Sequence, residues 1–442
     1  AMSAITNGER NVAIGTNTLD ANTTGDRNTA VGYAALSDYN VTDGGNDYNV
    51  AVGYAALNQT TTGAFNTAIG GDALQANTTG EKNTAVGYDS GRTNTTGVRN
   101  TSVGNESFHD NTTGDYNVAM GHQALYSNTT AEYNTGIGYA ALTANTTGQK
   151  NTAVGGQALD ANTDANNSTA VGYQALTTNT TGSQHTAVGY RALASNTTAS
   201  YNTAVGRTAL EDNTTGANNT AVGYQAMQVN TTASNNTAVG YQALTSKTTG
   251  DNNSAFGAFA GHELTTGVQN TFIGKNAGYY TTTANYNTGV GHNALVANTT
   301  GADNVAVGKG ALDANTTGGT NVAVGIDALG TNDVGNRMVA IGRAAVGSYN
   351  PSSATDAYNV GVGYDALTST STGVQNTGLG GLSLRLNTTA SRNTAVGYEA
   401  GTANTTGHVT AIGSYVLREN TTGSANVGVG GNDESNGGAL QK

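Results

Sequence analysis

A repeat of 17 residues runs through almost the whole chain. The glycine of a recurring Ala-Val-Gly motif occupies 25 places between Gly15 and Gly430. Successive copies lie 17 residues apart, except for two steps of 21 residues and one of 16. The repeat reads roughly N-T-A-V-G-Y-x-A-L-x-x-N-T-T-G-x-x. Because helical-pair repeats need about 33 residues or more, we interpret each repeat as a single coil of a β-solenoid.

The repeat contains β-branched residues and a glycine turn, which favour strands and bends over helices. The N-T-A-V stretch is the predicted first strand of each coil, the A-L stretch the second, and N-T-T-G the turn that closes it. The fold class is therefore all-β: a parallel β-solenoid (β-roll) of about 25 coils, stacked at about 4.7–4.9 Å into a rod of about 120 Å. The array is predicted over residues 11–430. Residues 1–10 are expected to be a tag scar or a leading segment, and residues 431–442 a polar tail or a cut end.

Composition excludes several classes of function. Only 10% of the residues are charged, and Lys+Arg 17 against Asp+Glu 29 gives a net charge of −12. A nucleic-acid partner is not expected, because the chain has no excess of cations to neutralise phosphates. The absence of cysteine excludes disulfides and thiolate metal sites. No apolar run reaches the roughly 20 residues of a membrane span.

We number the positions of the repeat from the alanine of Ala-Val-Gly, which is position 0. The residue types found at each position indicate which side chains point into the coil and which point outward. Position +1 is always apolar and position −1 is nearly always Thr or Val. These two positions share a face of the strand, and we expect that face to point into the coil. Leucine at position +6 then supplies the opposite wall.

Position 0 is alanine in 18 repeats and glycine in 5. If positions −1 and +1 point inward, position 0 lies on the outer face, where only the close approach of another backbone explains small residues. One hypothesis makes this column a trimer interface; the alternative is that the coil is flat and its own second sheet or turn covers the column. The candidate interface residues are Ala30, Ala170, Ala187, Ala204, Ala221 and Ala238.

Two further columns predict side-chain ladders. Asparagine occupies position −2 in 21 of the 25 repeats, and stacked asparagines form amide ladders from coil to coil. Tyrosine recurs at position +3, as in Tyr33 and Tyr54, and is expected to form a partly exposed stack. The N-T-T tripeptide is a formal glycosylation sequon, but its recurrence favours turn chemistry, in which the side chains bond to local backbone.

The N-T-A-V-G core, as in Asn28–Gly32, resembles the head repeats of trimeric autotransporter adhesins. The longer NTAVGYxALxxNTTG form is still more similar to repeats of phage tail-fibre and tail-spike-like proteins. The resemblance implies a left-handed β-roll, three copies of which pack as a homotrimer, with position 0 facing the threefold axis. The 17-residue repeat is longer than the adhesin repeat, and neither a heptad stalk nor a chaperone domain is visible.

No motif indicates catalysis, and an enzyme is not expected. The GxGxxG/A matches, such as Gly136–Ala141, arise wherever position 0 is glycine, and they lack the βαβ context of a dinucleotide site. The six histidines have no partner at metal-ligand spacing. We therefore predict no cofactor and no metal.

Two four-residue insertions interrupt the period, in residues 37–49 and 347–359. Loops on a rigid scaffold commonly carry binding sites, although neutral drift in a tolerant turn explains them equally well. The candidate binding-loop residues are Tyr39, Asp43, Asp47, Tyr349, Pro351 and Asp356. In the repeats at Gly261 and Gly278, which lack the leucine, Phe256, Phe259 and Phe272 are expected to refill the core.

These observations predict a structural and adhesive protein: an extracellular fibre segment of a phage tail fibre or a bacterial surface adhesin. Its expected partners are two further copies of itself and a host-surface glycan or protein, with no nucleic acid and no membrane insertion. The alternative is a monomeric β-solenoid that binds a flat surface such as ice.

Overall fold

The computed structural model describes residues 1–42 and 44–431 and confirms a parallel β-solenoid of about 25 coils. The chain divides into two compact units, Ala1–Asn218 (unit 1) and a second that begins at Asn219 (unit 2). The described residues contain no helix, and therefore none long and apolar enough to cross a membrane.

Unit 1 carries one three-residue strand per coil. These strands are β1 (Val12–Ile14), β2 (Thr29–Val31), β3 (Val50–Val52), β4 (Thr67–Ile69), β5 (Thr84–Val86), β6 (Thr101–Val103), β7 (Val118–Met120), β8 (Thr135–Ile137), β9 (Thr152–Val154), β10 (Thr169–Val171), β11 (Thr186–Val188) and β12 (Thr203–Val205). Each strand from β1 to β11 pairs in parallel with the strand of the next coil.

Unit 2 repeats this arrangement. Its strands are β13 (Thr220–Val222), β14 (Thr237–Val239), β15 (Ser254–Phe256), β16 (Thr271–Ile273), β17 (Thr288–Val290), β18 (Val305–Val307), β19 (Val322–Val324), β20 (Gly335–Asn336), β21 (Val339–Ile341), β22 (Thr355–Asp356), β23 (Val360–Val362), β24 (Thr377–Leu379), β25 (Thr394–Val396), β26 (Val409–Ile412) and β27 (Asn426–Val429). The short strands β20 and β22 form a separate parallel pair beside the second insertion.

Pairing is in register, so that each repeat position stacks on the same position of the next coil. Thr186 lies beside Thr203, and Ala187 beside Ala204. A one-residue slip would exchange the two faces of every strand. The register is therefore set by the side chains that the coil buries.

The predicted second strand is a turn instead. Positions +4 and +6 adopt left-handed backbone conformations, as at Ala34 (φ 53°) and Leu36 (φ 53°), and no strand is assigned there. The backbone still bonds from coil to coil, because the Leu36 N–H donates to the Ala56 carbonyl at 2.9 Å.

The predicted orientation of the first strand was wrong. Position 0 is the buried position, with Ala187 and Ala204 at 0% exposure, whereas the side chains at −1 and +1 are half-buried or exposed. The interior is too thin for larger groups: a Cβ built on Gly136, at position 0, would lie 3.2 Å from the Leu125 Cγ and from the Ala141 carbonyl oxygen. A methyl group nearly fills this space, so Thr and Val occupy the outer face.

The rest of the interior combines apolar and amide side chains. Leucine at +6 and alanine at +5 are buried, as at Leu142 and Ala141. Asparagines at −2 and at +9, the first residue of N-T-T, are also buried. The narrow core therefore needs its polar groups to be paired inside the coil.

The predicted amide ladder at position −2 is confirmed, and the turn asparagines form a second ladder. The Asn134 backbone N–H donates to the Asn117 Oδ1 at 2.9 Å, and its Nδ2 donates to the Gly148 carbonyl at 2.8 Å. The Asn145 Nδ2 donates to the Asn128 Oδ1 and to the same Gly148 carbonyl, both at 3.0 Å. These bonds confirm the turn chemistry predicted for N-T-T. The asparagine of the sequon, which makes them, is buried.

Candidate assembly face and candidate binding loops

The outer face of the strands is an uncharged surface of threonine and aliphatic side chains, which we call the assembly face and define by positions −1 and +1. In unit 1 it consists of Val12, Ile14, Thr29, Val31, Val50, Val52, Thr67, Ile69, Thr84, Val86, Thr101, Val103, Val118, Met120, Thr135, Ile137, Thr152, Val154, Thr169, Val171, Thr186, Val188, Thr203 and Val205. Among these, Ile69 is 42% exposed and Met120 41% exposed. The columns contain no charged residue in either unit.

The size of the face approaches that of a protein interface. Twelve strands about 4.8 Å apart, and a width of about 10 Å, give unit 1 an uncharged strip of roughly 600 Å². Standard interfaces bury about 800 Å² on each partner, and unit 2 carries a strip of the same kind. On typical monomers the largest apolar patches cover roughly 300–600 Å² and are often functional.

Aromatic and cationic side chains flank the face on both sides. At position +3, Tyr33 and Tyr54 stack with ring centroids 5.4 Å apart, and both are at least half exposed. This confirms the predicted tyrosine stack.

The flank at position −3 was not predicted. Tyr116 and Tyr133 stack at 5.0 Å, and the Arg99 guanidinium lies 5.2 Å from the Tyr116 ring centroid. In unit 1 this column reads Arg10, Arg27, Tyr48, Phe65, Lys82, Arg99, Tyr116, Tyr133 and Lys150 over nine consecutive coils. The signal was visible in the sequence as nine consecutive cations and aromatics at this left-handed position, where the following two coils have Asn167 and Gln184.

The alanine column is not available as an interface. Ala30, Ala170, Ala187, Ala204, Ala221 and Ala238 are all 0% exposed within the single chain. The alternative weighed for this column was correct: the chain's own turn, with the leucine at +6, covers it. Small residues are needed there because the coil is thin.

The candidate binding loops are largely folded inward. Tyr39 and Tyr349 are 0% exposed, Asp47 is 4% exposed and Pro351 is buried, so these side chains are not available to a ligand. Both tyrosines stand at position +9, where they replace the buried asparagine and fill its place with a ring. Asp356 is exposed and pairs with Arg337 at 2.8 Å, while Asp43 lies outside the described residues.

Burial shifts the pKa of several groups in the interior. Burial raises the pKa of the Asp47 carboxyl, although bonds from Tyr39 and from the Asp26 N–H oppose this shift. Burial raises the pKa of Tyr349 to about 12. These groups stay uncharged more readily because the interior holds little water.

Two bases replace asparagines of the interior ladders, and both were missed in the sequence. His185, at position −2, is buried, and its Nε2–H donates to the Ala199 carbonyl at 2.7 Å; burial lowers its pKa to about 4. Lys247, at position +9, is 0% exposed, and its Nζ donates to the Gly267 carbonyl at 2.7 Å. Burial lowers the pKa of Lys247 to about 7.

Three phenylalanines were predicted to fill the core of unit 2 where leucine is missing, and the prediction is confirmed for Phe272 alone. Phe272 is 0% exposed, whereas Phe256 is 41% exposed and Phe259 is half-buried. Phe272 stands at position 0 and occupies the space that leucine would fill at Gly261 and Gly278. Phe256 stands at position +1, so the reversed orientation of the strand explains its exposure.

Within residues 1–42 and 44–431, no group of three or more His, Cys, Asp or Glu side chains is arranged to hold a metal ion. The features that the structure does bring together are the assembly face, its aromatic flanks and the closed interior. No protein-family model matches the chain, and no curated protein is similar to it.

Proposed function

We propose that the chain is a structural and adhesive fibre segment, of a phage tail fibre or a bacterial surface adhesin, that assembles as a homotrimer through the assembly face. The observation that carries this proposal is the uncharged, exposed Thr/Val face. Burying apolar area is the main driving force of association. A left-handed coil and the number three are taken from the resemblance to adhesin heads and tail fibres.

The flanks support self-association. Interfaces are enriched in tyrosine, arginine and phenylalanine around an apolar centre, and positions +3 and −3 place these residue types beside the face. Irregular apolar side chains within it, such as Met120 and Phe256, suit packing against another chain because packing requires only complementary shape. The proposal accordingly puts the protein outside the cell, as part of a virion or a cell surface, which is where the resembling fibres and adhesins act.

The test is the solution mass by light scattering coupled to size exclusion. We expect the mass of three chains for the natural sequence and of one chain for a Val188→Glu/Val205→Glu variant, because burying two carboxylates per chain is costly. The matched control is Thr198→Glu/Thr215→Glu, two exposed turn positions of the same coils, which should remain trimeric.

Circular dichroism should show that all three proteins retain the same β structure. A single-chain mass for the natural sequence would contradict the trimer. Substitution of Ala204, by contrast, would be uninformative, since that side chain is buried inside the coil.

One observation favours the second candidate, a monomer that binds a flat surface such as ice. The threonines at position −1 point outward and stack in register, as Thr169 does beside Thr186, so they form a regular hydroxyl rank. Valine interrupts the rank in unit 1 at Val12, Val50 and Val118, and in unit 2 at Val427 and in four consecutive coils from Val305 to Val360. A single-chain mass together with inhibition of ice growth would support this candidate.

A further inference from the structure

Unit 1 presents a histidine, a carboxylate and a tyrosine side by side. The His109 Nδ1 lies 2.6 Å from the Asp110 Oδ1, and the Asp110 carboxylate remains 41% exposed. The His109 ring stacks on Tyr126, one coil later, with centroids 4.8 Å apart and planes 3° from parallel. The three side chains belong to the turn side of the coil and not to the assembly face.

Unit 2 carries the same cluster. The His262 Nδ1 lies 2.9 Å from the Glu263 Oε1, and this carboxylate is 42% exposed. The His262 ring stacks on Tyr279 at 4.8 Å and 9°. Further rings extend the surface, since Tyr280 lies 4.6 Å from Tyr279 and is 54% exposed.

The two clusters occupy identical places in the repeat. Histidine stands at +7, the acid at +8 and tyrosine at +7 of the next coil; the offset is 262 − 109 = 153 residues, or nine repeats of 17. No other repeat has histidine at +7. Coil stacking does not require these residues, because elsewhere position +7 holds residues as different as Gln75, Thr143 and Val296.

The chemistry suits an uncharged, hydroxyl-rich ligand. Tyr126 and Tyr279 are half-buried, and the part of a tyrosine ring that stays accessible packs against the apolar C–H faces of a sugar. A carboxylate bonds to sugar hydroxyl groups more strongly than a neutral group does. Each cluster contains one carboxylate, Asp110 in unit 1 and Glu263 in unit 2. Burial, together with Asp110 in unit 1 and Glu263 in unit 2, raises the pKa of Tyr126 and of Tyr279, so an anionic sugar is disfavoured.

We propose that His109–Asp110–Tyr126 and His262–Glu263–Tyr279 are two equivalent binding sites for neutral saccharides. This inference rests on the adhesive part of the proposed function and names the ligand class and the side chains that contact it. Two sites on one chain, and six on a trimer, would raise the avidity for a polysaccharide surface through effective concentration.

Saturation-transfer NMR with the full chain tests the sites, with maltohexaose and chitohexaose as neutral probes and sialyllactose as an acidic one. We expect signal transfer to at least one neutral probe and none to sialyllactose. Tyr126→Ala/Tyr279→Ala should weaken binding at least tenfold, and Tyr126→Phe/Tyr279→Phe should retain most of it because the ring remains.

The matched control is Thr177→Ala/Arg385→Ala, which changes the same repeat position, +7, once in each unit outside both clusters and outside the flanks, and should leave binding unchanged. Absence of transfer from both neutral probes overturns the inference, as does unchanged binding in the Tyr126→Ala/Tyr279→Ala variant or equal binding of sialyllactose. The mass of the same sample separates the two proposals. A trimer without saccharide binding overturns only the sites, whereas a single chain that binds saccharide supports them and overturns the trimer.

Discussion

Glycine at position +2 determines how closely the coils stack. Gly155 has φ 137°, a conformation that side chains rarely adopt, and a Cβ added there would lie 2.5 Å from the Gly172 carbonyl oxygen of the next coil. The obstacle is backbone, which cannot rotate away. The same contact recurs along each unit, so this glycine is required both by its own φ and by its neighbour.

Gly155→Ala should therefore lower the denaturant midpoint strongly, with about 1–3 kcal/mol from backbone strain alone and more from the clash. The neighbouring residue provides the control. A Cβ on Gly156 would lie at ordinary contact distance, 3.4 Å from the Tyr173 ring and 4.0 Å from the Tyr139 carbonyl oxygen, so Gly156→Ala should change the midpoint little. Equal effects of the two substitutions in urea denaturation, followed by circular dichroism, would contradict this account.

His185 makes unit 1 sensitive to acid. The pKa of His185 is about 4 when folded and near 6.5 when unfolded, so between these values the unfolded chain binds a proton that the folded chain does not. Stability is then lost as pH falls from about 6.5 to 4, by on the order of 2–3 kcal/mol.

His185→Asn restores the ladder residue and should remove this component. The measurement compares the denaturation midpoints of both proteins at pH 7 and pH 4.5, where carboxylate titration affects them equally. If both proteins lost the same stability between pH 7 and pH 4.5, His185 would be charged in the folded state at pH 4.5, and this account would be contradicted.

At the scale of the coil, the hydrophobic core is one leucine and two small residues wide. The side chains that meet in the core must therefore keep the same total volume from coil to coil. Phe272 illustrates this, because its ring at position 0 coincides with glycine at +6 in two neighbouring coils, Gly261 and Gly278. A large residue at one position is accommodated by the loss of another.

Phe272→Ala should destabilise unit 2 by about 3–5 kcal/mol through the cavity it leaves. Adding Gly278→Leu restores the repeat consensus and should recover part of that loss, because leucine adopts this left-handed backbone at +6 in other coils. Thermal unfolding of the single and double variants measures the recovery. A double variant no more stable than Phe272→Ala would show that the ring does not substitute for the leucine.

The coil also shows where reasoning from sequence succeeded and where it failed. The period predicted the coil, and the recurrence of asparagine predicted its ladder, because both follow from spacing alone. The orientation of Thr186 and Val188 was predicted wrongly, since larger apolar residues are usually the buried ones. Alanine at Ala187 is buried because of the thickness of the coil, which depends on a turn conformation that the pattern of side chains does not specify.

At the scale of the molecule, each unit combines a closed polar and apolar interior with an open apolar face. The sequence predicted an assembling protein for a reason that the structure overturns, since the alanine column is covered within one chain. The Thr/Val face provides a different reason for the same proposal. The number of chains is not predictable from one repeat, because an apolar column has the same sequence whether a partner or water covers it.

Within each unit, a coil contacts the coils before and after it in a register that never changes. Removing or adding one complete repeat would join two coils whose contacting positions already match. Recombination between repeats can therefore change the length of the protein in whole-coil steps, and each intermediate length folds by the same contacts. Genetic variants of this protein should differ in length by multiples of one repeat, and fragments of a repeat should be rare among them.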